Sequence, residues 1–147
     1  MLGYNNKYPK DHAMNKRIKK LVDWLSDQGY SFRFSIDDRV DRETSTVKVY
    51  PNPNQQHLLY TLLHECGHVA ILSNSTYKKE FKSLSVAEMK DNRHFRSNIY
   101  KYKLLKEEMD AWEEGKKLAK KLNIRVNKEK YDAYASKWFM TYVKWAA

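Results

Sequence analysis

The sequence predicts a single α+β domain over residues 1–147, and three observations carry that expectation. The chain, at 147 residues and 17.6 kDa, has the size of one domain built round one core. Apolar residues recur at helical spacing in several segments. Between the first and second of these the period shortens to two, the signature of strands.

The elements follow in order. Between Asn15 and Gly29, Ile18, Leu21, Val22 and Leu25 fall at i, i+3, i+4 and i+7, and Gly29 stands where that helix should stop. Tyr30, Phe32, Phe34 and Ile36 then alternate with Ser31, Arg33, Ser35 and Asp37, and Val47 and Val49 alternate with Thr46, Lys48 and Tyr50. Two or three strands are expected there, forming a small antiparallel sheet, with the two apolar stretches joined by the charged segment 38–43. Pro51 and Pro53 end the sheet, and Asn52 or Asn54 can cap a helix over 55–72. Leu58, Leu59, Leu62, Leu63, Cys66, Val69, Ala70 and Leu72 cover much of its circumference, so this helix should be central and buried. Residues 74–98 are polar, with scattered Phe81, Leu84, Val86, Met89 and Phe95, and read as a mobile loop carrying short helical pieces. Helices over 100–122 and 128–145 complete the chain, the last with Tyr131, Tyr134 or Ala135, Trp138 and Tyr142 along one side.

Composition excludes several classes. Hydrophobic residues make up 41% and aromatics 14%, with only 4 Gly and 3 Pro, which rules out a collagen-like, low-complexity or wholly disordered chain. No apolar run approaches the ~20 residues of a membrane span, and the N-terminus lacks the apolar stretch of a secretory signal. The one cysteine, Cys66, cannot form an intrachain disulfide, so a cytoplasmic setting is expected. A formal charge of +10 favours nucleic acid, anionic surfaces or acidic proteins as partners, although lysines on the outer faces of helices also serve as a solvated surface.

The chemistry lies in His64-Glu65-Cys66-Gly67-His68, an H-E-x-x-H motif within the central helix. Positions i and i+4 share a helix face with Cβ atoms ~5–6 Å apart, so both imidazoles can reach one Zn²⁺. Glu65 is one position round and poorly placed to complete the same tetrahedron. Its carboxylate suits a general base acting on the water in the open coordination position. Gly67 permits close approach of a neighbouring backbone.

A third ligand must come from elsewhere, and Glu107, Glu108 and Asp110 compete. Glu108 sits within the apolar face of Leu104, Leu105, Ala111, Trp112, Gly115, Leu118, Ala119 and Leu122, at i+4 from Leu104 and i−3 from Ala111. Asp110 shares a solvated side with Lys103, Lys106, Glu113, Glu114 and Lys117, and Glu107 lies on the border. A carboxylate on an apolar face is costly unless paired or metal-bound, which favours Glu108. His94 is the rival.

These segments, with the tail Lys130-Tyr131-Asp132 to Tyr142-Val143-Lys144-Trp145, resemble small phage- and virus-type zinc metallopeptidases related to the ImmA/IrrE group of gluzincins, over residues 44–146. The resemblance implies a zincin-like minimal metallopeptidase whose small sheet packs on the motif helix, with Glu108 as the metal-binding glutamate and a proteolytic or regulatory role. The group's Glu-x-Glu-Ala-Asn stretch reads Glu108-Met109-Asp110-Ala111-Trp112 here, and no Leu-Met-Pro follows. The substrate that the resemblance implies is a protein, which the sequence does not identify.

Other residues have quieter readings. His57 lies two turns before His64, about 10.5 Å along the axis, too far to share its ion. Cys66 faces away from the metal side as a small core residue. His94 followed by Phe95 matches part of the pattern of SprT-like DNA-dependent proteases but lacks the glycine that follows there. One tyrosine of the last helix could donate a hydrogen bond to a tetrahedral oxyanion, and the sequence does not choose which. A contrasting class is a basic, nucleic-acid-associated regulatory protein whose zinc is structural. The intact Glu65 argues against it, having no purpose in a closed site.

Overall fold

The computed structural model describes residues 12–73 and 97–147. Among these the chain forms α1 (His12–Asp27), β1 (Ser31–Phe34), β2 (Arg39–Asp41), β3 (Thr46–Val49), α2 (Gln55–Leu72), α3 (Asn98–Lys121) and α4 (Lys128–Ala146). The α+β class is as expected, with four helices and a three-stranded mixed sheet among the described residues. The loop expected over 74–98 lies outside the described residues as far as residue 96, and Ser97 caps α3 by accepting from the Tyr100 N–H. Among the described residues no helix is long and apolar enough to cross a membrane.

The sheet corrects the expectation of an antiparallel arrangement. Its order is β1-β3-β2; β1 runs parallel to β3, pairing Phe32 with Val47, and only β2 is antiparallel, pairing Val40 with Val47. The segment read as a charged connector supplies an edge strand. Local hydrogen bonds explain why. The Asp41 carboxylate accepts from the N–H groups of Glu43 (3.1 Å) and Thr44 (3.2 Å), and Ser45 adopts φ 49°, so the tight reversal falls between β2 and β3. Asp38 accepts from the Tyr50 N–H at 2.7 Å, holding the β1–β2 connection beside the end of β3. Ile36, expected to continue the alternation, lies on that connection and is 93% exposed.

The core joins Ile18, Leu21 and Leu25 of α1 to Val47 and Val49 of β3 and to most of α2. Asn54 caps α2, its side chain accepting from the His57 N–H at 3.1 Å. Buried on most sides, α2 packs chiefly against α3. Two glycines make that contact close. A Cβ on Gly67 would lie 1.9 Å from the Ala111 carbonyl oxygen, and one on Gly115 would lie 2.7 Å from that of Leu63. Leu63 facing Gly115 and Gly67 facing Ala111 defines an antiparallel register between the two helices.

Candidate metal centre

That register assembles the site. His64 and His68 stand three before and one after Gly67, while Glu108 and Trp112 stand three before and one after Ala111. Antiparallel crossing then brings His64 against Trp112 and His68 against Glu108. The Trp112 ring stacks on His64 with centroids 3.9 Å apart and planes at 25°. The Glu108 carboxylate bridges both imidazoles, Oε2 lying 2.9 Å from His64 Nε2 and Oε1 3.3 Å from His68 Nε2. The two Nε2 atoms are 3.2 Å apart.

Among the described residues, His64, His68 and Glu108 form a group that could hold a metal ion. Tetrahedral ligands at ~2.0–2.1 Å from a common ion lie about 3.3 Å from one another; the two imidazole nitrogens are at that spacing, and one donor atom from each of the three residues falls within 4.8 Å of the others. Polar satisfaction points the same way. Glu108 Oε2 is buried without an aligned hydrogen-bond partner despite its proximity to His64, and two imidazole nitrogens face each other. A cation between these donors would satisfy all three. Glu65 lies outside the triad, 5% exposed on the same turn of α2.

Glu107, read from sequence as a border residue, is buried. Its Oε1 accepts from Arg42 Nη2 at 2.9 Å and stands 3.6 Å from His68 Nδ1. The turn after β2 thus reaches the centre through Arg42 and Glu107, an outer partner of the kind that orients a ligating histidine. Asp110 stays on the outer side, half-buried beside Lys106 at 3.9 Å. His57 packs against Tyr134, with ring centroids 4.5 Å apart, and is not in the triad. Cys66 is fully buried in the core, and burial pushes its thiol up. His94 lies outside the described residues.

Protonation is divided unequally. Burial drives His64 down to about 4. Burial also opposes charge on His68, but Glu107 and Glu108 outweigh it and hold that imidazole well above its usual value. For Glu108 burial is likewise overcome by the two histidines, which keep the carboxyl far below the carboxylate range. Burial lifts Glu65 to about 8.

These directions predict proton release on metal uptake. At pH 7 these directions favour protons on His68 and Glu65, a neutral His64 and an ionised Glu108. Ligation needs a neutral His68, and the cation's field favours an ionised Glu65, so Zn²⁺ should expel between about one and two protons. Affinity should rise at least about tenfold per pH unit from pH 6.5 to 7.5. Zn²⁺ calorimetry in buffers of different ionisation enthalpy counts the protons; a count near zero would contradict this assignment.

No family model, curated protein or solved structure matches the chain, so the site stands on its own geometry.

Proposed function

We propose that the protein is a zinc-dependent metallopeptidase of the zincin-like, H-E-x-x-H type, hydrolysing a peptide bond in a protein substrate, which its resemblance to the ImmA/IrrE group implies to be a regulatory one. One observation carries this reading: two imidazole nitrogens 3.2 Å apart each face one oxygen of the Glu108 carboxylate, at 2.9 and 3.3 Å, with a further buried carboxylate, Glu65, beside them and outside the donor set. Two histidines and one glutamate are the donor set of a catalytic zinc that keeps a position open. His64, His68 and Glu108 would hold the ion, which when bound polarises a carbonyl and makes water nucleophilic near neutral pH.

The chain's own residues supply the remainder. Glu65 takes the attacking water's proton and delivers it to the departing amine nitrogen. Burial favours its protonated form, and positive charge at the triad restores the carboxylate a base requires. Trp112 fixes the His64 ring by stacking, and Glu107, anchored by Arg42, faces the far nitrogen of His68. The alternative class, a basic nucleic-acid-associated protein with a structural zinc, draws on the +10 charge.

The test is Glu65→Gln. The variant should retain about one Zn²⁺ per chain by elemental analysis, yet lose hydrolysis of labelled casein and candidate repressors by at least ~100-fold. A parent without turnover that binds duplex DNA in a salt-dependent way would favour the alternative. Release of zinc by Glu65→Gln, or turnover equal to the parent's, would refute the role given to Glu65.

A further inference from the structure

Positive charge is spread unevenly over the molecule. Residues 12–20 on α1 and 120–130, from the last turn of α3 to the first turn of α4, hold nine Lys and Arg against one acidic residue, Glu129. The other described residues hold eleven Lys and Arg against thirteen Asp and Glu, so no net positive charge lies there. The fold joins the two basic stretches. Lys20 Nζ donates to the carbonyl oxygens of Leu122 at 3.1 Å and Asn123 at 3.4 Å, capping the end of α3 with a residue of α1. Ile124 is buried in one core with Ile18 and Leu21, and Val126 packs on that core, while Arg125 between them is exposed. Lys16, Lys120, Lys121, Arg125 and Lys128 are exposed and make no ion pair among the described residues.

What the face lacks narrows its partner. None of the exposed large hydrophobic side chains of the described residues falls in either stretch, whereas a protein partner needs an apolar centre to its interface. Neither stretch contains a Phe, Tyr or Trp on which the bases of a single strand could stack. Lysines and arginines with neither feature match the regular phosphates of a double helix. We propose that the face formed by α1 and the α3–α4 junction binds the backbone of a double-stranded nucleic acid, independently of base sequence. Glu108 and Lys120 are twelve residues apart on α3, about 18 Å along its axis, so a duplex held here leaves the triad open. The proposal goes beyond the peptidase reading and stands or falls without it.

The probes are fluorescent duplexes of about 24 base pairs, DNA of two unrelated sequences and one RNA, titrated with the full chain between about 50 and 200 mM KCl. With about six phosphates neutralised, log K should fall against log salt with a slope of about −5, equally for both DNA sequences, and the tighter of DNA and RNA identifies the natural duplex. Combining Lys120→Ala, Lys121→Ala and Arg125→Ala should weaken binding on the order of 100-fold at ~100 mM salt and flatten the slope by about 3. Combining Arg33→Ala, Lys137→Ala and Lys144→Ala removes the same charge from exposed positions elsewhere and should stay within about threefold of the parent. Equal losses in the two triple variants would make net charge the cause and overturn the proposal. A parent that ignores every duplex at ~50 mM salt overturns it as well. Tighter binding of oligo(dT) would assign the face to single strands, and equal binding of polyglutamate would assign it to acidic proteins, each against the proposal.

Discussion

Gly67→Ala should unfold or severely destabilise the protein and abolish zinc binding together. The added Cβ would sit 1.9 Å from the Ala111 carbonyl oxygen and 2.8 Å from its carbon. These are backbone atoms held in α3, so no rotamer change relieves the overlap and the helices must part. Alanine's better helix propensity favours the variant by about 1 kcal/mol, against overpacking that costs 1–3 kcal/mol even where side chains can adjust. With backbone on the far side the loss should reach at least about 3 kcal/mol, a fall in Tm of about 10 °C for a chain of this size. Any separation at Ala111 also moves Glu108, one turn away, out of reach of both imidazoles. Thermal unfolding beside zinc stoichiometry measures both effects. A variant stabilised by the propensity difference, with zinc retained, would show that the helices do not meet backbone to backbone.

Glu108→Ala should weaken zinc more than any other acidic substitution in α3. Losing an outer partner typically lowers affinity 10–100-fold, and removing a direct ligand should exceed that range. A smaller effect opposes it: without Glu108, His68 loses part of what keeps it protonated, so less proton competition remains. Loss of the carboxylate dominates, because two imidazoles alone leave the ion without a protein anion. Asp110→Ala, beside Lys106 on the outer side, should change affinity less than tenfold. Competition with a chromophoric chelator ranks the variants, and Glu108→Gln tests charge at nearly constant shape. Should His94→Ala empty the site while Glu108→Ala retains metal, the SprT-like alternative would become the better account.

Glu108 was legible because a helix of known period makes a carboxylate on an apolar stripe conspicuous, and the structure buries it beside His64 and His68. Close backbone approach at Gly67 was legible from its missing Cβ, and Ala111 is the backbone that approaches. Glu107 was not, since its burial depends on Arg42, which chain topology alone brings near. Strand β2 was hidden by composition: Arg39, Val40 and Asp41 carry no apolar alternation, and their pairing depends on an Asp-stabilised turn. Alternation reports which face a residue occupies and says nothing of strand direction, so the parallel pairing of β1 with β3 had no local signal. The tyrosines of α4 could not be told apart by spacing, because only partners on other helices distinguish Tyr131, at the Trp112 carbonyl, from Tyr134, at Thr61.

Residues 68 and 108 are the ends of a long chain loop, and drawing such ends together costs on the order of 3 kcal/mol in closure entropy. Here that ordering falls on folding itself, when the backbones of α2 and α3 meet at Gly67 and Gly115. A cation held there would meet donors that helix packing has already gathered, so little of its binding free energy would go into organising the chain, in contrast to small zinc domains that collapse when stripped.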